Sequence, residues 1–185
     1  MRAGLLALLR NARRVRAKRI AFVIGGTLVS VLAFPAAAGL RLNDSPSLPL
    51  GIYVVTSDQS ADLVEFCPPE PFASLAALRG YRERGSCPDG GAPLMKPIAA
   101  RSGDTVRISA AGLTVNGREI PRSQALTLDS RGRSLQHWPF GTYAVQPGTV
   151  WLISSYNARS FDSRYFGPVR ITSLRDRLRP LLTLW

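Results

Sequence analysis

The chain is poor in the side chains that carry most proton and metal chemistry. Its 185 residues include one histidine, His137, and two cysteines, Cys67 and Cys87. These three cannot complete the four-ligand set of a structural zinc site, so no metal is expected and no cofactor motif is present. A Ser-His-Asp triad would rest on His137 alone. It lies in "SLQHWPFG" beside Trp138, Pro139 and Phe140, a setting that suits packing better than proton transfer. Lysine is nearly missing as well. Lys18 and Lys96 are the only two, and every other basic residue is an arginine, whose pKa above ~12 bars it from acting as a base. Acidic residues are few, 12 against 24 Lys and Arg, for a net charge of +12. There is no internal repeat and no long low-complexity tract.

The positive charge is unevenly spread. Residues 1–19, "MRAGLLALLRNARRVRAKR", hold seven basic residues and no acid. Nucleic-acid binding would favour basic residues across the folded domain, interleaved with aromatic platforms. Here the densest block precedes "IAFVIGGTLVSVLAFPAAAGL", Ile20 to Leu40, which carries no charge. A bilayer-spanning helix needs ~20 predominantly apolar residues, and positive charge before the span places the N-terminus in the cytoplasm. The expected organisation is a basic cytoplasmic segment at 1–19, a transmembrane anchor at 20–40 and an exported domain at 41–185. A cleavable signal is the competing reading, with small residues at Ala36–Ala38, and a buried helix of a soluble protein is the third. No nucleic-acid partner is expected. In an oxidising compartment a Cys67–Cys87 bridge would add ~3 kcal/mol; two unpaired thiols are the alternative.

Beyond residue 40 the pattern is short and punctuated. "GIYVVTS", "ADLVEF", "LMKPIAA", "DTVRISAAGLTVNG", "GTYAVQPGTVWLISS" and "GPVRITSL" are rich in Val, Ile, Tyr and Thr between Gly, Pro, Asn and Ser. They predict strands and turns of an antiparallel, mainly β domain. Asn116-Gly117 matches a type I′ turn. Residues 73–84, "ASLAALRGYRER", predict one small helical insert between the cysteines, weakened by Gly80.

Lys96 is the economical candidate for a base. It sits between Leu94, Met95, Pro97 and Ile98 in an apolar, strand-like setting. Burial disfavours its charged form, and at a pKa of ~8 about a tenth would be neutral at pH 7. That is enough to deprotonate a serine hydroxyl. A strand lysine that snorkels to solvent is the other reading of the same residue. "NDSPSLPLGIY", residues 43–53, is open in the same way: a proline-stiffened linker, or a strand carrying a nucleophilic serine.

Three stretches, "NDSPSLPLGIY", "LMKPIAARSGDTV" and "SFDSRYFGPVR", occur in this order. They resemble the diagnostic boxes of the type I signal peptidases, most closely their conjugative-transfer, TraF-type branch. Asn43, Ser45, Ser47, Pro49, Gly51 and Tyr53 match the first box. Lys96, Pro97, Ala99, Ala100, Gly103, Asp104 and Val106 match the second, and Ser160 through Val169 the third. "ADLVEFCPP" resembles the strand that follows the first box. The likeness spans roughly residues 20–175. It departs at "SSYNAR", 154–159, where Gly-Asp-Asn is common, and at Arg101-Ser102, where Leu-Pro is usual.

The resemblance implies a signal-peptidase-like β-sheet or barrel domain and a serine endopeptidase with Ser47 as nucleophile and Lys96 as general base. It implies Ser45 as oxyanion-hole donor with the backbone N–H of Ser47, Ser160 as a partner orienting Lys96, and Asp162 and Arg164 as a supporting pair. On a strand, Ser45 and Ser47 would share one face, with Pro46 and Pro49 stiffening an edge that pairs with substrate. The implied partners are the membrane and an exported, pilin-like precursor, processed at the periplasmic face of a bacterial inner membrane. Leu40 and Ser47 are seven residues apart, a reach of at most ~25 Å. A general signal peptidase, and a non-catalytic anchored part of a transfer apparatus, are the alternatives.

Overall fold

A computed structural model of the chain describes residues 39–184. The basic segment 1–19 and nearly all of the apolar run at 20–40 lie outside these residues. No helix within them is long and apolar enough to cross a membrane. The compact unit that carries the candidate site is Leu42–Trp185.

The architecture is mainly β and antiparallel. In chain order it comprises β1 (Leu40–Asn43), β2 (Leu50–Thr56), β3 (Leu63–Phe66), α1 (Phe72–Arg79), β4 (Leu94–Ala100), β5 (Thr105–Ser109), β6 (Gly112–Val115) and β7 (Arg118–Glu119). It continues with β8 (Gly141–Ala144), β9 (Thr149–Leu152), α2 (Ser163–Phe166), β10 (Val169–Arg170) and β11 (Leu174–Leu184). One sheet has the order β1-β2-β11-β3-β4-β9-β10 and a second the order β7-β6-β5-β8. Each of the Val/Ile/Thr-rich stretches contributes a strand, although in "GPVRITSL" only Val169–Arg170 pair and Ile171–Ser173 form a 3₁₀ turn before β11. Asn116 and Gly117 turn β6 into β7 with φ of 50° and 79°, as a type I′ turn requires.

Two elements differ from the sequence-based expectation. The helix is shorter, because Gly80 adopts a left-handed conformation (φ 69°) and its N–H caps the carbonyls of Ala76 and Ala77. The eleven-residue β11 is not announced by its sequence. That sequence, LRDRLRPLLTL, buries only Leu178 fully, so it lacks the alternation that marks a half-buried strand. Pro180 sits where the β11–β2 register shifts, the place a sheet tolerates a residue without an N–H. β11 nevertheless joins β2 to β3. A side chain at Gly51 could not be accommodated in that pairing: an added Cβ would lie 2.1 Å from the carbonyl oxygen of Leu182.

Three apolar clusters hold the domain. Val64, Phe66, Ile98, Val150, Leu152, Phe166 and Val169 pack between β3, β4, β9, α2 and β10. Val106, Ile108, Leu113 and Val145 gather with Trp151 around the second sheet. Leu48, Tyr53 and Leu178 form the third, directly beside Ser47. In β4 burial alternates, so Lys96, Ile98 and Ala100 all face inward. The lysine therefore enters the interior as part of a core-facing register and cannot snorkel to solvent. Cys67 and Cys87 are joined as a disulfide, Cα atoms 5.7 Å apart, which tethers the segment carrying α1.

Candidate active site

Ser45 and Ser47 lie in a turn between β1 and β2, not on a strand. This corrects the expected edge strand, and the cause is Asn43. Its side-chain Nδ2 donates to the carbonyls of Ser45 (2.9 Å), Leu48 (3.3 Å) and Pro49 (3.0 Å). Its Oδ1 accepts from Ser45 N–H at 3.3 Å. One buried amide thus satisfies backbone groups that would otherwise seek a ladder, and Pro46 and Pro49 have no N–H to offer one. Tyr53, from β2, donates its hydroxyl to the Pro49 carbonyl at 2.7 Å. Ser154, just past β9, donates its hydroxyl to the carbonyl of Ser47 itself. The turn is thus held at three points, with Leu48 anchored in the apolar cluster beneath it.

That turn faces Lys96. Its Nζ donates to Ser47 Oγ at 2.9 Å and to the Met95 carbonyl at 3.1 Å. Ser47 is 6% exposed and Lys96 4%. Burial pushes the lysine down from its usual 10.5 to about 8, with the nearby Asp162 charge raising it and that of Arg164 lowering it. When the amine is neutral, the same contact lets it accept the serine proton. Ser45 Oγ lies 3.1 Å from Ser47 Oγ and accepts a long contact from Ser47 N–H at 3.4 Å. The Ser47 N–H is thus turned toward the Ser45 hydroxyl, and the two groups lie side by side next to Ser47 Oγ.

Ser160 is buried and lines the same cavity as Ser47 and Lys96. Its hydroxyl reaches no hydrogen-bond partner, Lys96 included. Asp162 and Arg164 are fully buried and bonded to each other, at 2.8 Å and 2.9 Å. Asp162 caps α2 through Arg164 N–H and also accepts from Ser154 N–H. Arg164 donates to the carbonyls of Arg122, Gln124, Ala158 and Ser160. The pair is an internal brace that ties the loops around the cavity and acts on Lys96 only through its field. His137 stacks on Phe140 at 4.3 Å and does not line the cavity.

The cavity measures about 260 Å³, below the ~300–1,000 Å³ typical of small-molecule pockets. It has room for one or two side chains of an extended chain. Part of its lining has no signal in the sequence: Tyr81 comes from the tethered insert, and Leu128, Asp129 and Leu135 from the loop after β7. Sequence reasoning misses Ser154 as well, its partner being 107 residues away.

Comparison with known proteins identifies the family. Residues 13–182 match the family described as signal peptidase, peptidase S26. The plasmid transfer protein TraF of Escherichia coli is 36% identical over 172 residues, covering 90% of this chain and 97% of its own. The conjugal transfer protein TraF of Agrobacterium tumefaciens is 40% identical over 178 residues, covering 91% and 98%. That of Agrobacterium fabrum is 39% identical over 166 residues, covering 87% and 92%. On matches of this length and identity, the chain belongs to the signal peptidase family, peptidase S26.

Proposed function

We propose that the chain is a membrane-anchored serine endopeptidase with a Ser47/Lys96 dyad that cleaves exported precursor proteins. The observation that carries this is the 2.9 Å contact between Ser47 Oγ and a buried lysine amine whose pKa lies at about 8. Ser47 Oγ attacks the scissile carbonyl carbon as its proton passes to Lys96 Nζ. The oxyanion takes hydrogen bonds from Ser47 N–H and the Ser45 hydroxyl, donors that can each be worth ~3 kcal/mol. Collapse forms the acyl-enzyme, and Lys96 returns the proton to the leaving amine. A water, or an amine of the substrate itself, then attacks the ester with Lys96 again taking the proton, and Ser47 is released.

The relatives named for plasmid and conjugal transfer support a conjugative setting, with maturation of a pilin-like precursor as the reaction. The basic block and apolar run at 1–40 support an inner-membrane anchor and a periplasmic domain. The test is to produce the full chain with a candidate pilin precursor and compare Ser47→Ala and Lys96→Ala with wild type. Both variants are expected to leave the precursor uncut. Unchanged processing in both would sink the dyad. A product lighter by one water than the linear cleavage fragment would mark cyclisation.

A further inference from the structure

Part of the lining of the cavity that holds Ser47 and Lys96 is built from two segments far apart in sequence and locked to each other. Tyr81 follows α1 in the disulfide-tethered insert, and its hydroxyl donates to Asp129 Oδ2 at 2.7 Å. Arg133 Nε donates to the same oxygen at 2.6 Å, while the N–H groups of Arg131 and Arg133 donate to Oδ1, both at 2.9 Å. Burial pushes the Asp129 carboxyl up, but the hydrogen bonds from Tyr81, Arg133 and Arg131 outweigh it and hold it well below the usual carboxylate range. Two further bonds run between the segments: Arg79 to the Ser134 carbonyl at 2.8 Å, and Arg133 to the Arg79 carbonyl at 3.1 Å. The Tyr81 ring also packs against Phe161, next to Ser160, with centroids 5.2 Å apart. Tyr81 and Asp129 both line the cavity with Ser47 and Lys96. The same loop adds apolar lining from Leu126, Leu128 and Leu135.

We infer that the Tyr81–Asp129 bond is a latch that fixes how large an apolar side chain the cavity beside Ser47 admits. This rests on the peptidase reading for its substrate but not for its geometry. Asp129 is saturated with donors from the protein, so it is a brace and not a ligand for substrate. A small side chain fits the latched wall. A bulky one must displace it, and so binds more weakly by the free energy that the latch contributes. Tyr81 is therefore a specificity-determining positioning residue, supplied by a segment outside the three sequence boxes.

The test uses the full chain in detergent and labelled alanine-rich decapeptides that differ at one central residue: Ala, Leu or Phe. Binding is measured on the Ser47→Ala protein, where no chemistry intervenes. The Ala peptide is expected to bind more tightly than the Phe peptide. Adding Tyr81→Phe, which keeps the ring against Phe161, is expected to shrink that ratio by roughly three- to tenfold, the span of one hydrogen bond's net worth. The shift should come from tighter binding of the Phe peptide. Asp129→Asn should act in the same direction, and if it does not fold, Tyr81→Phe alone decides. An unchanged ratio in the folded Tyr81→Phe protein, or no binding of any peptide, overturns the latch. Processing of the same peptides with Ser47 intact reports the dyad separately. Selective binding without processing would sink the peptidase reading and leave the latch standing.

Discussion

The hydroxyl of Ser154 donates to the backbone carbonyl of Ser47, across 107 residues of chain. Ser47 is therefore held from the segment just past β9, the strand that also pairs with the lysine-bearing β4. Removing that donor leaves a buried carbonyl without its partner, which costs about 1–3 kcal/mol. Ser154→Ala is expected to lower kcat roughly tenfold or more through misplacement of Ser47 Oγ. KM and the pH midpoint should stay unchanged, because Lys96 is not touched. Steady-state kinetics across pH separate this from a general loss of fold.

The proposed dyad has a definite pH signature. Lys96 must be neutral to accept the serine proton, and its pKa is lowered to about 8. The value of log(kcat/KM) is expected to climb with unit slope below about pH 8 and level off above it. A profile that is flat from about pH 6 to about pH 9, or that falls with rising pH, would remove Lys96 as the base.

The same lysine weighs against stability. Unfolded, it keeps its proton to ~10.4; folded, it gives it up at about 8. Between those values the unfolded state binds more protons, so stability rises with pH across that window. Below it the full penalty is present, roughly 3 kcal/mol. Lys96→Met is expected to stabilise the domain by about 1–3 kcal/mol near pH 7 while abolishing cleavage. The gain should shrink toward about pH 10. Urea melts at the two pH values measure both.

The brace behind the site should respond oppositely. Asp162→Asn strands the buried Arg164 guanidinium and is expected to cost about 3–5 kcal/mol. In whatever fraction folds, loss of the Asp162 charge lowers the Lys96 pKa further, because that charge raises it. The kinetic limb should then move to lower pH.

The insert depends on its disulfide. Cys67 and Cys87 close a loop with a sequence separation of 20, and replacing both with Ser is expected to cost about 3 kcal/mol. Wild-type protein should show a matching fall in thermal midpoint on adding a reductant, and the double variant none.

Much of the site is legible in the residues themselves. Lysine scarcity singles out Lys96, and three ordered boxes bring Ser45, Ser47 and Ser160 to one site. Side chains that bond to distant backbone leave no such trace. The turn at Ser45–Ser47 arises from Asn43, whose amide outcompetes the strand ladder that residue spacing alone suggests. Tyr81 and Asp129 meet 48 residues apart, with no periodicity to announce it. β11 is masked by its arginines, since only Leu178 is fully buried there.

The position of β11 also sets an order of assembly. Residues Arg177–Leu184 pair with β2, and Leu174–Leu178 with β3, so the two halves of the sheet meet only through the strand made last of the eleven. Leu178, from that strand, completes the cluster on which Leu48 rests. A growing chain thus carries Ser47 long before it carries the support for it. The seat of Ser47 is finished only once β11 has paired with both β2 and β3, so the proposed dyad would become competent after that pairing and not before.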